Sequence, residues 1–368
     1  NDDTGLFSIQ LDGTDRRDEL VVTAPRGNRR GEEPPKSESE KISPDGRYAL
    51  AHVGKQLWVI AVTKTGAKAP TVDVRGSALP AAQITDIGAD FYGWTDDGES
   101  VWWAIGNTFH TRAFESIAFR EDKDEESSDD NGDDEEEPFV PKDEHESVRR
   151  YSFEVVMPRN TPSGSMLLQG ANLITMAGAS TAAMDRVLTN QDVLITDNRI
   201  AGVGDSGSLN IPEGTERINA SGKYVVPGFI DTHAHWEFRT GDVLEPQNWA
   251  LTANLAYGVT AGLDVQTSTH DYLAYRDFVE TGQSIGQRAF MTAVGIFGDT
   301  DFQSYDAAHS YLRRYSDHYN TKNIKSYVVG NRKQRQWMVL ASQDLGLMPT
   351  TEGGADQRLN LTPVSYTH

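Results

Sequence analysis

From Pro227 onward the chain alternates between two kinds of segment, and that alternation limits what it can fold into. FIDTHAH is an apolar strand, residues 246–257 read as helix, and GVTAGLDV is strand-like. Residues 270–281 are helical, QRAFMTAVGIF is a strand, and residues 304–318 are helical again. NIKSYVV, the helix RKQRQWMVLASQDLG and the strand LMPTTEGG complete the run. Strands rich in Val, Ile and Phe, spaced by helices, bury both faces in a parallel sheet that those helices cover. Five strands are counted, and a closed (β/α)8 barrel of the TIM type has eight. Residues 227–362 are therefore expected to form the first part of such a barrel, incomplete as it stands.

The residues before this point read differently. ISPDGRYALAHVGKQLWVIAV and FYGWTDDGESVWWAIGNTFH share one plan: Ser or Thr, Pro or Asp, then Asp-Gly, a polar pair, then aromatic and small apolar residues. Asp45-Gly46 and Asp97-Gly98 supply the turns. The interval is roughly that of a propeller blade, and the resemblance of these strings to propeller blades implies a partial β-propeller of about two blades over residues 1–119, against at least four in a closed one. An ordinary antiparallel β-domain is the alternative. Residues 120–148 form an acidic insert. Within it, residues 121–137 carry twelve acidic side chains against one lysine. Such a block repels itself and buries no apolar area, so a solvated, disordered segment is expected, with a divalent-ion buffer as the alternative. SVRRYSFEVVMPRN then reads as a strand pair, and Pro158, Pro162 and Gly164 mark a boundary. Residues 166–226 alternate again, with a hairpin turn at Asp197-Asn198, so 149–226 should hold β-strands and a small β-sandwich. The fold class expected for the whole is multidomain: partial β-propeller, small β-sandwich, incomplete barrel.

Composition excludes several functions. The formal net charge of −21 opposes nucleic acid as a partner. No stretch of eighteen apolar residues exists, so a membrane-spanning helix is not expected. Without cysteine there is no thiolate ligand, thiol nucleophile or disulfide in this stretch. NDDTGLFSIQ lacks a basic segment followed by an apolar run. The expected location is periplasmic or secreted if a signal precedes residue 1, and cytoplasmic otherwise. The ending PVSYTH, residues 363–368, is what one frame of a common transposon-based sequencing adapter encodes (CCT GTC TCT TAT ACA CAT). These six residues are expected to be an artefact and His368 not a ligand. The chain thus reads as a fragment, continuing upstream by several blades and downstream by three βα units.

The strongest chemical signal is His233 and His235. Residues i and i+2 of a strand face the same side, so two imidazoles at the end of a buried strand point at one place. Asp231 precedes them and Gly228 relieves crowding. The C-terminal ends of barrel strands are where such sites lie. Two loop-proximal, partly exposed histidines would be the plain alternative for His-x-His alone.

The longer string GKYVVPGFIDTHAH, following a small β-domain, resembles the opening segment of amidohydrolase-superfamily barrels, especially the imidazolonepropionase-like and prolidase-like members. SPDGRYALAHVGKQLWVIAV resembles blades of TolB-like and dipeptidyl-peptidase-like propellers, and the two together resemble fused propeller amidohydrolases. That resemblance implies His233 and His235 as ligands of a divalent metal, zinc by default, with iron, manganese or cobalt also suited, in a site of one or two ions. It also implies catalysis by metal-activated water. Lys325, in NIKSY, stands where many members carry a carboxylated lysine bridging two metals; a lysine reaching solvent is the alternative. Thr350 stands where the family places a metal-binding histidine. Glu352, two residues along, is a candidate carboxylate ligand. Trp236, Glu237 and Thr350 are candidate substrate contacts. His270, His309 and His318 are read as surface residues. The family's later histidine and aspartate fall beyond these residues. The implied activity is metal-dependent hydrolysis of C–N bonds in amides, cyclic amides or small peptides. The alternatives are a non-catalytic propeller-based binding module with a degenerate barrel, or an inactive truncated fragment. The expected partner is a small-molecule or short-peptide substrate, and a homo-oligomer remains open.

Overall fold

The computed structural model describes residues 5–24, 34–63, 68–76, 79–119, 139–177, 186–236, 244–267, 272–297, 300–327 and 329–352. The chain divides into two compact units, residues 1–155, 265–270 and 291–368 in the first and residues 156–264 and 271–290 in the second. The described residues are β-rich, with 21 strands in six sheets, and none of these sheets closes into a barrel.

In the first unit, β1 (Leu6–Ser8) and β2 (Arg17–Thr23) pair antiparallel. The strands β3 (Ser39–Ile42), β4 (Tyr48–Val53) and β5 (Gln56–Ala61) follow, then β6 (Thr71–Asp73) and β7 (Ala81–Gln83). The strand β6 joins β1 and β2, while β3, β4, β5 and β7 make a four-stranded antiparallel sheet. A second four-stranded antiparallel sheet is built from β8 (Phe91–Trp94), β9 (Ser100–Ile105), β10 (Thr108–Ala113) and β11 (Val148–Ser152). Side chains alternate across a strand, and β4 and β5 use both faces. Leu50, Leu57 and Val59 pack with Val101 and Trp103 of the second sheet; Ala49, Ala51 and Ile60 pack with Leu20, Val22 and Val72 of the three-stranded one. The middle sheet is apolar on both sides because a sheet covers each side. The β1-β2-β6 sheet is thus a third layer beyond the two units legible in the sequence.

The repeated turns are built alike. Asp45 Oδ1 accepts the Ser43 hydroxyl at 2.6 Å and Arg47 N at 3.0 Å; Asp97 Oδ1 accepts the Thr95 hydroxyl at 2.6 Å and Glu99 N at 2.9 Å. Gly46 and Gly98 both have φ of +73°, the left-handed conformation that glycine adopts without strain.

The end of the acidic segment differs from the sequence reading. Residues 120–138 lie outside the described residues, but Lys142–Glu144 form a 3-10 turn. Asp143, 1% exposed, accepts Asp86 N and Ile87 N at 2.6 and 2.7 Å. The disordered insert expected over 120–148 is therefore ordered at its end, where one aspartate satisfies two buried N–H groups. The strand pair expected from SVRRYSFEVVMPRN is also corrected: β11 is present, and residues 153–163 have no regular structure. Pro158 and Pro162 have no N–H to give a ladder, and Asn160 N instead bonds Glu280 O.

In the second unit, β12 (Ser165–Ile174) is the centre of one mixed sheet. It runs antiparallel to β13 (Val187–Thr196) and parallel to β15 (Glu216–Asn219) and β16 (Tyr224–Val225). The strand β14 (Arg199–Asp205) returns from β13 through the Asp197-Asn198 hairpin, with Asp197 at φ +56°. Where a sandwich was expected, the described residues form this five-stranded sheet.

The alternating region follows its expected order. The strands β17 (Phe229–Ala234), β18 (Val259–Asp264) and β19 (Arg288–Met291) form one sheet, separated in sequence by α1 (Trp249–Ala256) and α2 (Tyr272–Glu280). In the first unit, α3 (Tyr305–Arg313) runs into a π-helical turn at Arg314–His318. Next come β20 (Asn323–Tyr327), α4 (Arg332–Asp344) and β21 (Met348–Glu352), with β20 and β21 parallel. Each helix with a described start has a polar cap. Asn248 accepts Ala250 N and Leu251 N, Ser304 accepts Ala307 N, and Asn331 with Gln334 forms a capping box, satisfying N–H groups that the first turn leaves open. No helix among the described residues is long and apolar enough to cross a membrane.

Candidate functional site

The strand β17 carries the His-x-His motif at its C-terminal end. Gly228 precedes it because a Cβ there would lie 2.1 Å from Thr260 Oγ1, so only glycine lets the chain pass β18 this closely. His233 and His235 are exposed on either side of buried Ala234, and their ring centroids are 5.3 Å apart with a 58° tilt. A nitrogen-to-metal bond of about 2.1 Å, plus about 1.1 Å to the ring centre, spaces two tetrahedral imidazole ligands roughly 5.2 Å apart, centre to centre. The observed spacing matches that distance. Asp231 turns its carboxylate back, and its Oδ1 accepts His233 N at 3.0 Å. Among the described residues no group of three or more His, Asp or Glu side chains is gathered for a metal.

Trp236 is 7% exposed. Its indole lies on Gly262, where a Cβ would come within 2.7 Å of Cζ2. The Gln287 amide lies 3.2 Å from both the indole nitrogen and Val259 O, and with its oxygen turned toward Trp236 it would accept the indole N–H and donate to Val259 O. Trp236 N donates to Asp264 Oδ2 at 2.8 Å. Asp264 is fully buried at the end of β18. Asp264 and Gln287 were not singled out in the sequence; the signal available was the position of Asp264 at a strand end in GVTAGLDV.

Lys325 and Thr350 lie in the first unit. Lys325 is 2% exposed, so the solvent-facing alternative does not hold. It sits in the middle of β20 opposite Thr350 of β21, with its Nζ 5.9 Å from the Tyr327 ring centre. Thr350 donates its hydroxyl to Ile324 O at 2.9 Å. Glu237 and the side chain of Glu352 lie outside the described residues. His318, read as a surface residue, is partly buried. Burial pushes its pKa down, and its Nδ1 has no hydrogen-bond partner among the described residues. His270 lies outside the described residues and His309 is partly exposed. A cleft of ≈ 260 Å³ in the first unit, walled by Trp58, Arg75, Asp301, Phe302 and Tyr311, contains none of the motif residues.

Sequence comparison adds partial matches. The chain is 36% identical over 74 residues to an adenine deaminase of Paracoccus denitrificans, covering 20% of this chain and 12% of that one. It is 32% identical over 89 residues to a deacetylase of Agrobacterium fabrum, covering 24% and 21%. With an imidazolonepropionase of Micrococcus luteus it shares 38% over 53 residues, covering 14% and 13%. These homologues belong to the amidohydrolase superfamily. Each match spans about a fifth or less of the relative's own length. No protein-family model matches the chain. Among solved structures, a Xaa-Pro dipeptidase aligns at 17% identity and TM-score 0.43 over 55% of this chain and 60% of that one. Molinate hydrolase aligns at 17% and 0.45 over 57% of each.

Proposed function

We propose that this chain is part of an amidohydrolase-superfamily hydrolase that cleaves C–N bonds in amides, cyclic amides or small peptides with the help of a divalent metal. The observation that carries the reading is the His233–His235 pair, set at a strand end in GKYVVPGFIDTHAH with a ring spacing suited to one ion. The homologues are hydrolases of that superfamily, which supports the same chemistry. An ion bound there, zinc by default, would supply Lewis-acid polarisation and lower the pKa of the attacking water. The protein's part is to hold the two imidazoles aimed together, with Asp231 fixing the His233 backbone. Lys325, buried on β20, is proposed as the carboxylated lysine, since its amine can take up carbon dioxide with loss of one proton to become an anionic carbamate. The stacked sheets of the first unit are proposed as blades of a β-propeller.

A non-catalytic binding module is the second reading, favoured by Thr350, whose hydroxyl is engaged with Ile324 O where a histidine ligand was expected. One experiment separates them. Full-length protein, stripped with a chelator and reloaded with zinc, manganese or cobalt, is assayed on N-acyl amino acids, cyclic amides and dipeptides. Hydrolysis lost on stripping and regained on reloading supports the enzyme; none with any metal supports the binding module.

A further inference from the structure

Pairing between β17 and β18 slips twice, once between Phe229 and Ile230 and again, in the opposite sense, where the histidines lie. Asp231 is the partner of Gly262 and Ala234 that of Asp264. Three steps on β17 (231 to 234) therefore face two on β18 (262 to 264), so β17 carries one residue too many for a regular ladder. A bulge of this kind re-aims side chains and weakens the ladder's hold on them. The directions of His233 and His235 consequently depend on other ties. Asp231 holds His233 N from the near side. Beyond His235, the chain is tied by Trp236 N to Asp264 Oδ2 at 2.8 Å, and by the Trp236 indole lodged on Gly262 beside Gln287.

We infer that Asp264 is a positioning residue for the His233–His235 pair, pinning the bulged strand end through Trp236 N; this rests on the metal reading above. A hydrogen bond to a carboxylate is about twice as strong as a neutral one, and Asp264 is fully buried, so water does not compete for it. A tie one residue beyond His235 limits how far that imidazole can swing from His233. Outer-shell partners of metal ligands are commonly worth about 10–100-fold in metal affinity.

The test is a metal titration of full-length, chelator-stripped protein, with zinc followed by calorimetry and cobalt by its visible absorption. Asp264→Ala should weaken zinc binding at least about tenfold and alter the cobalt spectrum. Asp264→Asn keeps an acceptor for Trp236 N and should recover most of the affinity. The comparison variant is Asp192→Ala. It removes another buried carboxylate, one that holds Gly170 N, Gly207 N and the Ser206 hydroxyl, and it should bind zinc like the wild type. If Asp264→Ala does not fold, Asp264→Glu, one methylene longer, should show the same weakening. Wild-type binding by a folded Asp264→Ala or Asp264→Glu overturns the inference, as does equal weakening by Asp192→Ala. Absence of zinc and cobalt binding in the wild type overturns the metal reading itself, and this inference with it.

Discussion

Two neighbouring arginines, Arg313 and Arg314, should differ sharply in what their removal does. Arg314 is 3% exposed. Its guanidinium donates to Tyr311 O at 3.1 Å, to Ile87 O, and to Lys55 O at 3.4 Å, and it stacks on the Tyr311 ring at 3.6 Å. It thus ties the π-helical turn after α3 to the turns of the first two antiparallel sheets. Gly88 makes room for it, because a Cβ there would lie 2.4 Å from Arg314 Nη2. Arg314→Met leaves up to three carbonyls without their donor at roughly 1–3 kcal/mol each. Part of this is offset because a buried cation no longer has to be desolvated. The net loss is about 2–4 kcal/mol, or about 4–16 °C in Tm at roughly 2–4 °C per kcal/mol for a large domain. Arg313 pairs with Glu144 at 2.9 Å and with Asp317 at 2.8 Å, but its side chain is 23% exposed and those of its partners 27% and 35%. Solvent screens such pairs, so Arg313→Met should cost about 1 kcal/mol or less. Thermal unfolding of full-length protein followed by near-ultraviolet circular dichroism, to which buried Trp103 contributes, reads both. Equal shifts, or a larger one for Arg313→Met, would refute the idea that α3 is locked to the sheets through buried main-chain contacts.

Asp143 should show an inverted pH effect. Burial pushes its carboxyl up to about 6, against hydrogen bonds from Ile87 N and Asp86 N that pull it down. Between 3.8 and about 6 the native state holds the proton and the unfolded chain does not, so this group's contribution falls as pH rises through that window. Asp143→Asn keeps an acceptor without the charge. By urea unfolding it should match the wild type near pH 4 and exceed it at pH 7 by up to ~3 kcal/mol; a less stable variant at pH 7 contradicts this. His110, pushed down to about 4 mainly by burial and then by His318 and Arg150, contributes the opposite slope, so the variant difference, rather than the wild-type profile, is the readout. For Lys325, carbon-13 NMR of full-length protein in labelled bicarbonate should show a carbamate signal that Lys325→Arg lacks, because a guanidinium is not carboxylated this way. Identical spectra would end that proposal.

Much of the strand and helix order was legible because its signals are local. The alternation after Pro227 placed the five strands and four α-helices that the described residues form there, and the matched Asp-Gly turns anticipated hydrogen bonds that recur atom for atom. What was missed depends on contacts distant in sequence. The third sheet, β1-β2-β6, needs β2 to run parallel to a strand some fifty residues later. Asp143 follows a run of acidic residues in the sequence, and it is buried where Asp86 N and Ile87 N need an acceptor. Val155 and Val156 look like a strand, yet no partner strand lies beside them among the described residues. At the site, the two histidines were visible as a pair in the sequence. The bulge that aims them, and the Asp264–Trp236 tie that holds it, depend on register between strands, which sequence spacing does not reveal.

The most direct test of a metal at the His233–His235 strand end is elemental analysis of full-length protein purified without chelator, wild type against the double variant His233→Ala/His235→Ala. At least one equivalent of zinc or another divalent transition metal is expected in the wild type, and a matching loss of metal and of C–N hydrolysis in the variant, whose fold circular dichroism should show unchanged. Metal retained at wild-type stoichiometry in a folded double variant would contradict the assignment.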